Sequence, residues 1–280
     1  MCSHLLKAGY QTSVFNRSSS KLNDLLSLGA VSCSSPCEVA RRSDVVFSMV
    51  GYPSDVEEVI LGQSGVLAGL APGRVVVDMT TSRPGLAVRI ANEATARGIA
   101  ALDAPVSGGD IGAREARLSI MVGGVQDAFE ALTPLWKLMG TTFVFQGSAG
   151  CGQHTKMVNQ ILIASGMVGL CEAMLYAKQA GLDPELVLKS VSSGAAGSWS
   201  LSNLTPRILK GDYAPGFFVD HFVKDLSIAI EEAEKLGLQL PGLSNAKKAY
   251  NYLKAMGHGG SGTQSLILAL AKQNGLEWRT

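Results

Sequence analysis

Net charge is almost missing from this chain: 24 Lys and Arg stand against 23 Asp and Glu, a formal balance of +1 over 280 residues. No overall field is available to hold nucleic acid or an anionic membrane, and only a localised electrostatic site stays open. Long apolar runs are missing too. The longest, Ile161 to Cys171, is eleven residues and ends against Glu172, short of the about 18 that a membrane span needs, so the chain reads as soluble. Histidine is scarce and scattered (His4, His154, His221, His258), and Cys33 and Cys37 have no second thiol pair nearby, so no metal site is read. The five cysteines (Cys2, Cys33, Cys37, Cys151, Cys171) are odd in number and irregular in spacing, which suits free thiols in a reducing compartment, packed as small hydrophobes. There is no Arg-rich presequence, internal repeat or low-complexity tract. What is present, 46% apolar and 17% charged content, buries a large core in one large domain or two modest ones and excludes a disordered chain.

The first half alternates short β-branched runs with helical patterns. Strands are predicted at 11–15, 45–49, 74–79, 100–103, 118–122 and 142–145, with helices around 22–28, 55–60, 84–97 and 126–138. Alternation at this spacing reads as a parallel sheet covered on both faces, and VVFSMV and VVVDM are apolar almost throughout, as two-sided burial requires. After GSAGCGQ the pattern changes to a long helix over 155–180 and helices near 184–191, 201–209, 224–236, 243–256 and 263–274, with no convincing strand. The predicted fold is α/β and doubly wound over residues 1–147, followed by an all-α domain over 148–280. A cleft between two such domains is a common place for a small-molecule site.

A doubly wound nucleotide domain opens with an apolar strand and a glycine-rich turn that brings a pyrophosphate to the next helix N-terminus. Neither is found here. MCSHLLKAG reads as the tail of that helix and GYQTSVFNR as the second strand, so the expectation is a Rossmann-like sheet with its first strand missing, about twenty residues short of a full unit. A complete protein of another topology is the alternative.

Four stretches carry chemistry. At the end of the second strand stand Asn16, Arg17 and Ser18, where a carboxylate would bond ribose hydroxyls and an arginine can pair with a 2′-phosphate, favouring NADP over NAD; an ordinary surface arginine in a turn would look the same. Asp103-Ala-Pro-Val-Ser-Gly-Gly109 follows a strand directly. Its Ser107 hydroxyl and the amides at Gly108 and Gly109 can bind a carboxylate, or form a plain strand-to-helix connection. Lys156 and Asn159 follow Gly150-Cys-Gly152 three residues apart, on one helical face, so that a lysine amine can reach a carbonyl oxygen there. The usual alternative for a lone helical lysine is solvation; a Walker loop is excluded, because its lysine directly follows the last glycine. Lys224 lies among aromatics in FFVDHFVKDL, which otherwise reads as a helix start with Asp225 near the positive end of the dipole.

Taken together, these motifs resemble the β-hydroxyacid dehydrogenase family over essentially the whole chain. DAPVSGGDIGA resembles the family's substrate-binding signature, GCGQHTKMVNQ its catalytic-lysine helix and VKDL its cofactor-proximal lysine, in the expected order. The wording VGYPSDV, DMTTSRP and GAAGS is closest to plant mitochondrial members. The resemblance implies that Lys156 is the general acid/base, that Asn159 positions substrate and that Ser107, Gly108 and Gly109 hold a carboxylate. It implies that Lys224, Val50, Gly51 and Thr81, with Asp55 on the following helix, lie against NADP or NAD. Gly51 stands where many relatives have proline, and Gln160 where a second asparagine is common. The expected reaction is hydride exchange between NAD(P) and a small β-hydroxyacid, above all 3-hydroxyisobutyrate in valine breakdown. Alternatives are NADPH-dependent reduction of glyoxylate or succinic semialdehyde, and an inert binding protein lacking its phosphate loop. A homo-oligomer and the mitochondrial matrix are implied as well, the cytoplasm being the other compartment; neither nucleic acid nor membrane is an expected partner.

Overall fold

The computed structural model describes residues 1–278, which divide into two compact units, Met1–Lys156 and Met157–Thr280. In chain order the first unit comprises α1 (Cys2–Lys7), β1 (Ser13–Val14), α2 (Asn23–Ser27), β2 (Val31–Ser32), α3 (Pro36–Arg41), β3 (Val45–Ser48) and α4 (Pro53–Leu61). It continues with β4 (Val75–Asp78), α5 (Pro84–Thr95), β5 (Ala100–Asp103), β6 (Val106–Ser107), α6 (Gly109–Arg114), β7 (Leu118–Gly124), α7 (Gln126–Ala131), α8 (Thr133–Lys137) and β8 (Gly140–Gly147). The long helix α9 (Cys151–Gln179) begins in this unit, and the division falls within it, after Lys156.

The sheet is Rossmann-like, with one element reversed. β1 pairs β2 in a separate two-stranded sheet, while β3, β4 and β5 are joined in parallel and β7 pairs β8 in parallel. The mainly parallel sheet that was expected is found, with β7 running antiparallel to β5 and β6. Its run is apolar on both faces, and such a run carries no sign of direction. β5 and β6 pair with β7 in one continuous register, broken at Ala104 and Pro105, where Met121 donates to the Pro105 carbonyl at 3.0 Å. No ladder joins β1 to β3 among the described residues.

Alternation along the strands builds two layers of core. Val76 and Ala101 face one way, against Val56, Ile60 and Ile90 of α4 and α5. Val77 and Leu102 face the other, into a cluster with Ile120, Val122 and the fully buried Trp136, whose indole N–H donates to the Phe129 carbonyl at 3.0 Å. Burial on both faces is what fixes the sheet register, since a slip by one residue would exchange these two sets.

The second unit is helical: the remainder of α9, α10 (Pro184–Val191), α11 (Trp199–Leu209), α12 (Val219–Lys235), α13 (Pro241–Leu253) and α14 (Leu266–Gln273). Met167, Met174, Phe222, Leu226, Tyr250 and Ile267 form its centre. Asp183 starts α10 as an N-cap, accepting from the amides of Glu185 and Leu186, with Pro184 at the first helical position. By length and composition alone α9 is apolar enough to cross a membrane, with a window mean hydropathy of 1.5, as the core helix of a soluble protein can also be. Gln153, Lys156 and Gln160, in its first three turns, are buried and hydrogen-bonded.

Candidate active site

β6 delivers Ser107 to a turn that only glycine follows comfortably. Gly108 has φ 125° and Gly109 φ 63°, in the left-handed half of the backbone map, and a β-carbon on Gly108 would lie 3.3 Å from Leu118 Cδ2. The Lys156 side chain, on the second turn of α9, is buried, and its Nζ donates to the Val106 carbonyl at 2.8 Å, directly before Ser107. An ammonium donor, a hydroxyl and two glycine amides thus come from contiguous structure: charge-assisted donors suited to a carboxylate or a carbonyl oxygen.

Two buried side chains hold the start of α9 in place. Gln153 accepts from the Ser82 amide at 2.9 Å and donates to the Thr80 carbonyl at 2.7 Å. Asp103, at the end of β5, accepts from the Gly150 amide on Oδ1 and the Gln153 amide on Oδ2, both at 2.8 Å. Beside it in the β4–β5 register is Asp78, whose Oδ1 accepts both the Ser48 hydroxyl at 2.9 Å and the Thr80 amide at 3.1 Å. Neither Gln153 nor either aspartate was singled out from the sequence. The available signal was position alone: an aspartate at each of two strand ends, and a glutamine directly after a glycine turn.

Burial pushes both carboxylates up from the ordinary 3.8 to about 6, outweighing their hydrogen bonds, and Asp103 adds to the shift of Asp78 by charge. The folded chain therefore binds these protons more tightly than the unfolded one. The stability they contribute is complete below 3.8 and is lost as pH rises through about 6. Because the Ser48 hydroxyl and the Thr80 amide both end on Oδ1, Asp78→Asn keeps that acceptor and removes the charge. We expect this variant to be more stable than the parent at pH 7.5 by up to about 3 kcal/mol, with the gain shrinking towards zero near pH 4. Urea melts at the two pH values check it, and an equal gain at both would exclude burial as the cause.

At the ends of β3 and β4, the Val50 amide donates to Thr80 Oγ1 at 3.0 Å, which places Val50 and Gly51 next to Thr81. Asp55 caps α4, accepting from the Tyr52 amide at 3.0 Å, and its other oxygen pairs with Arg17 at 3.2 Å. The Arg17 side chain is 74% exposed, and Asn16 Oδ1 accepts from the Ser18 amide at 2.9 Å, setting the turn that presents it. These are polar groups at the carboxyl ends of parallel strands, where open α/β sheets bind nucleotides, and their chemistry fits a nicotinamide dinucleotide. The stretches leading out of β1 to β4 into the next helices hold one glycine, Gly51. No multi-glycine cradle for a pyrophosphate is therefore found on this edge among the described residues.

The second unit holds the remaining two candidates. Asn159 Nδ2 donates to Gln160 Oε1 at 2.7 Å, Gln160 Nε2 donates to Asp225 Oδ2 at 2.6 Å, and Lys224 Nζ lies 3.0 Å from Asp225 Oδ1. Asp225 thus joins Asn159 to Lys224 through Gln160. The reading of Asp225 as a charge at a helix start is corrected, since α12 begins at Val219 and Asp225 is 1% exposed within it.

Residues 1–147 match the NAD binding domain of 6-phosphogluconate dehydrogenase, and residues 150–270 the NAD-binding domain of NADP-dependent 3-hydroxyisobutyrate dehydrogenase. Among curated relatives, the chain is 52% identical over 275 residues to the probable 3-hydroxyisobutyrate dehydrogenase-like 1, mitochondrial, of Arabidopsis thaliana, covering 98% of this chain and 82% of the relative. It is 38% identical over 270 residues to 2-hydroxy-3-oxopropionate reductase of Escherichia coli, covering 96% and 92%. Among solved structures, a 3-hydroxyisobutyrate dehydrogenase from Salmonella typhimurium superimposes with a TM-score of 0.86 at 29% identity, covering 95% of this chain and 93% of that one.

Proposed function

We propose, starting from the fact that the chain belongs to the β-hydroxyacid dehydrogenase family of NAD(P)-dependent oxidoreductases, that it interconverts 3-hydroxyisobutyrate and methylmalonate semialdehyde, a step of valine breakdown. One observation carries this reading: the buried Lys156 ammonium held 2.8 Å from the Val106 carbonyl, beside Ser107, Gly108 and Gly109. The Ser107 hydroxyl and the two glycine amides bind the substrate carboxylate, and this fixes the β-carbon oxygen within reach of Lys156. In oxidation the neutral amine accepts the hydroxyl proton; in reduction the ammonium returns it to the carbonyl oxygen. Asn159, one helical turn beyond Lys156, orients the substrate. Asn16, Arg17, Val50, Gly51, Asp55, Thr81 and Lys224 would hold a nicotinamide dinucleotide, whose chemistry when bound would be hydride exchange.

Arg17 supports NADP as the cofactor, because a guanidinium held by Asp55 and open to solvent is placed to pair with a 2′-phosphate. It also favours a second reading, reductive traffic on glyoxylate or succinic semialdehyde. Oxidation of 3-hydroxyisobutyrate and reduction of these aldehydes, each with both cofactors, separates the two readings, and no turnover on any of them overturns both. Arg17→Ala is expected to reduce the NADP-over-NAD preference by about tenfold or more, the loss of one charge-assisted contact; an unchanged ratio excludes the assignment.

The assembly proposed is a homo-oligomer, supported by Val158, Leu162 and Tyr176, which are 57%, 70% and 74% exposed along one side of α9. The compartment proposed is the mitochondrial matrix, supported by the name of the Arabidopsis relative.

A further inference from the structure

We propose that Asp103 is a positioning residue for the Lys156 amine, its two carboxylate oxygens clamping the first turn of α9 to the strand that leads into Ser107. The inference rests on Lys156 being the proton-transfer group proposed above. Each oxygen takes its own backbone N–H, Gly150 on Oδ1 and Gln153 on Oδ2, at 2.8 Å, and the residue is 4% exposed. Its seat is built for it. A β-carbon on Gly123 would lie 2.7 Å from Oδ1, and one on Gly152 2.9 Å from Oδ2, so any side chain at either position would displace the clamp.

The two ends of the clamp are the two halves of the candidate site. The Asp103 backbone belongs to β5, three residues before Val106, whose carbonyl receives the lysine; the amides it grips lie within six residues of Lys156 on the other side. Asp103 thereby ties the lysine's helix directly to the strand that carries the substrate turn. Stability alone is a poor reason for the arrangement, since a buried carboxylate costs desolvation that a neutral side chain would avoid.

Asp103→Asn tests the clamp, because an amide offers one oxygen and one NH2 and so leaves one of the two backbone donors facing another donor. We expect kcat to fall about 10- to 100-fold, as for a misplacement on the order of 1 Å. The KM for hydroxyacid and the Kd for reduced cofactor, read by its fluorescence, should stay within about twofold. A second readout needs no turnover: acetylation of Lys156 by acetic anhydride in the protein without cofactor, followed by peptide mass mapping, should be faster in the variant because the amine is released from Val106. In a Lys156→Ala background, adding Asp103→Asn should change the residual kcat less than about twofold, since residues acting through one group are not additive. Asp103→Ser, smaller than the native side chain, should reproduce the kcat loss.

Wild-type kcat and an unchanged acetylation rate in Asp103→Asn would overturn the positioning role while leaving Lys156 in place. Full activity in Lys156→Ala would overturn the underlying assignment, and the inference with it. Loss of folding in both Asp103 variants would assign the residue to the stability of the whole unit and overturn the proposal as well.

Discussion

Lys156→Ala is expected to lower kcat by about two to four orders of magnitude, the usual worth of a positioned acid/base group, while the Kd for reduced cofactor stays near that of the parent. The expectation follows from where the amine is. Its Nζ is fixed on the Val106 carbonyl beside the Ser107–Gly109 turn, inside a unit whose buried carboxylates, Asp78 and Asp103, are occupied by Ser48, Thr80, Gly150 and Gln153. Lys156→Arg sharpens the result: a guanidinium keeps the charge and the donor but does not deprotonate, so it cannot accept the hydroxyl proton, and oxidation should fail as in the alanine variant. Lys156→Met, which keeps the apolar stem, separates lost chemistry from lost packing and should match alanine in kcat while melting closer to the parent. A kcat for Lys156→Ala within about threefold of the parent would remove the lysine from the mechanism.

How much of this could be read beforehand depended on whether a residue acts through its type or through its partner. The β3, β4 and β5 strands were legible because two-sided burial leaves near-continuous apolar runs. β2 and β6 were not, being two residues each, with Val31 and Ser32 both exposed. α3 was missed although its start is written in the chain: Ser35 accepts from the Glu38 amide at 3.1 Å, with Pro36 between them. Its six residues are too short to show a period. α6 was hidden by Gly109 and Gly112, which lower helix propensity, although Gly112 suits the close approach to Leu118. The predicted helix over 126–138 is two helices, α7 and α8, meeting at Leu132 just ahead of Pro134.

The same distinction runs through the site. Lys156 and Asn159 stood out because a lysine and an amide three apart after a glycine pair form a local pattern. Asp103, Gln153, Gln160 and Asp225 did not, because each acts on a residue distant in sequence: Gly150 and Gln153 for Asp103, Thr80 and Ser82 for Gln153, and each other for Gln160 and Asp225. Spacing along one chain carries no record of such pairs. The glycines came closest to a signal. Gly123 inside a strand and Gly152 inside a helix are each costly to local propensity, and a costly glycine marks a place where something must come close.

Gly152 makes that argument quantitative. Its backbone does not need glycine, since its φ is not positive, and a helix interior would normally gain from alanine by up to about 1 kcal/mol. The added β-carbon, however, would lie 2.5 Å from the Asp103 carbonyl oxygen and 2.5 Å from that of Met121. Both are backbone atoms of β5 and β7, strands paired with each other at Asp103 and Gly123, so neither can retreat by a rotamer change. Overpacking against rigid backbone wins over propensity, and Gly152→Ala is expected to destabilise the protein by about 3 kcal/mol or more, a fall in Tm of roughly 6–12 °C for a unit of this size. Gly166→Ala, on the same helix with nothing within 4 Å of its β-carbon, should instead raise stability by about 0.5–1 kcal/mol. Opposite signs in one scanning fluorimetry experiment would set the close approach apart from any general effect of alanine in α9. Because Lys156 lies one turn beyond Gly152, the folded fraction of Gly152→Ala should also lose turnover, as Asp103→Asn does. A Gly152→Ala protein that melts at or above the parent temperature and turns over normally would mean that α9 does not seat against β5 and β7 as described.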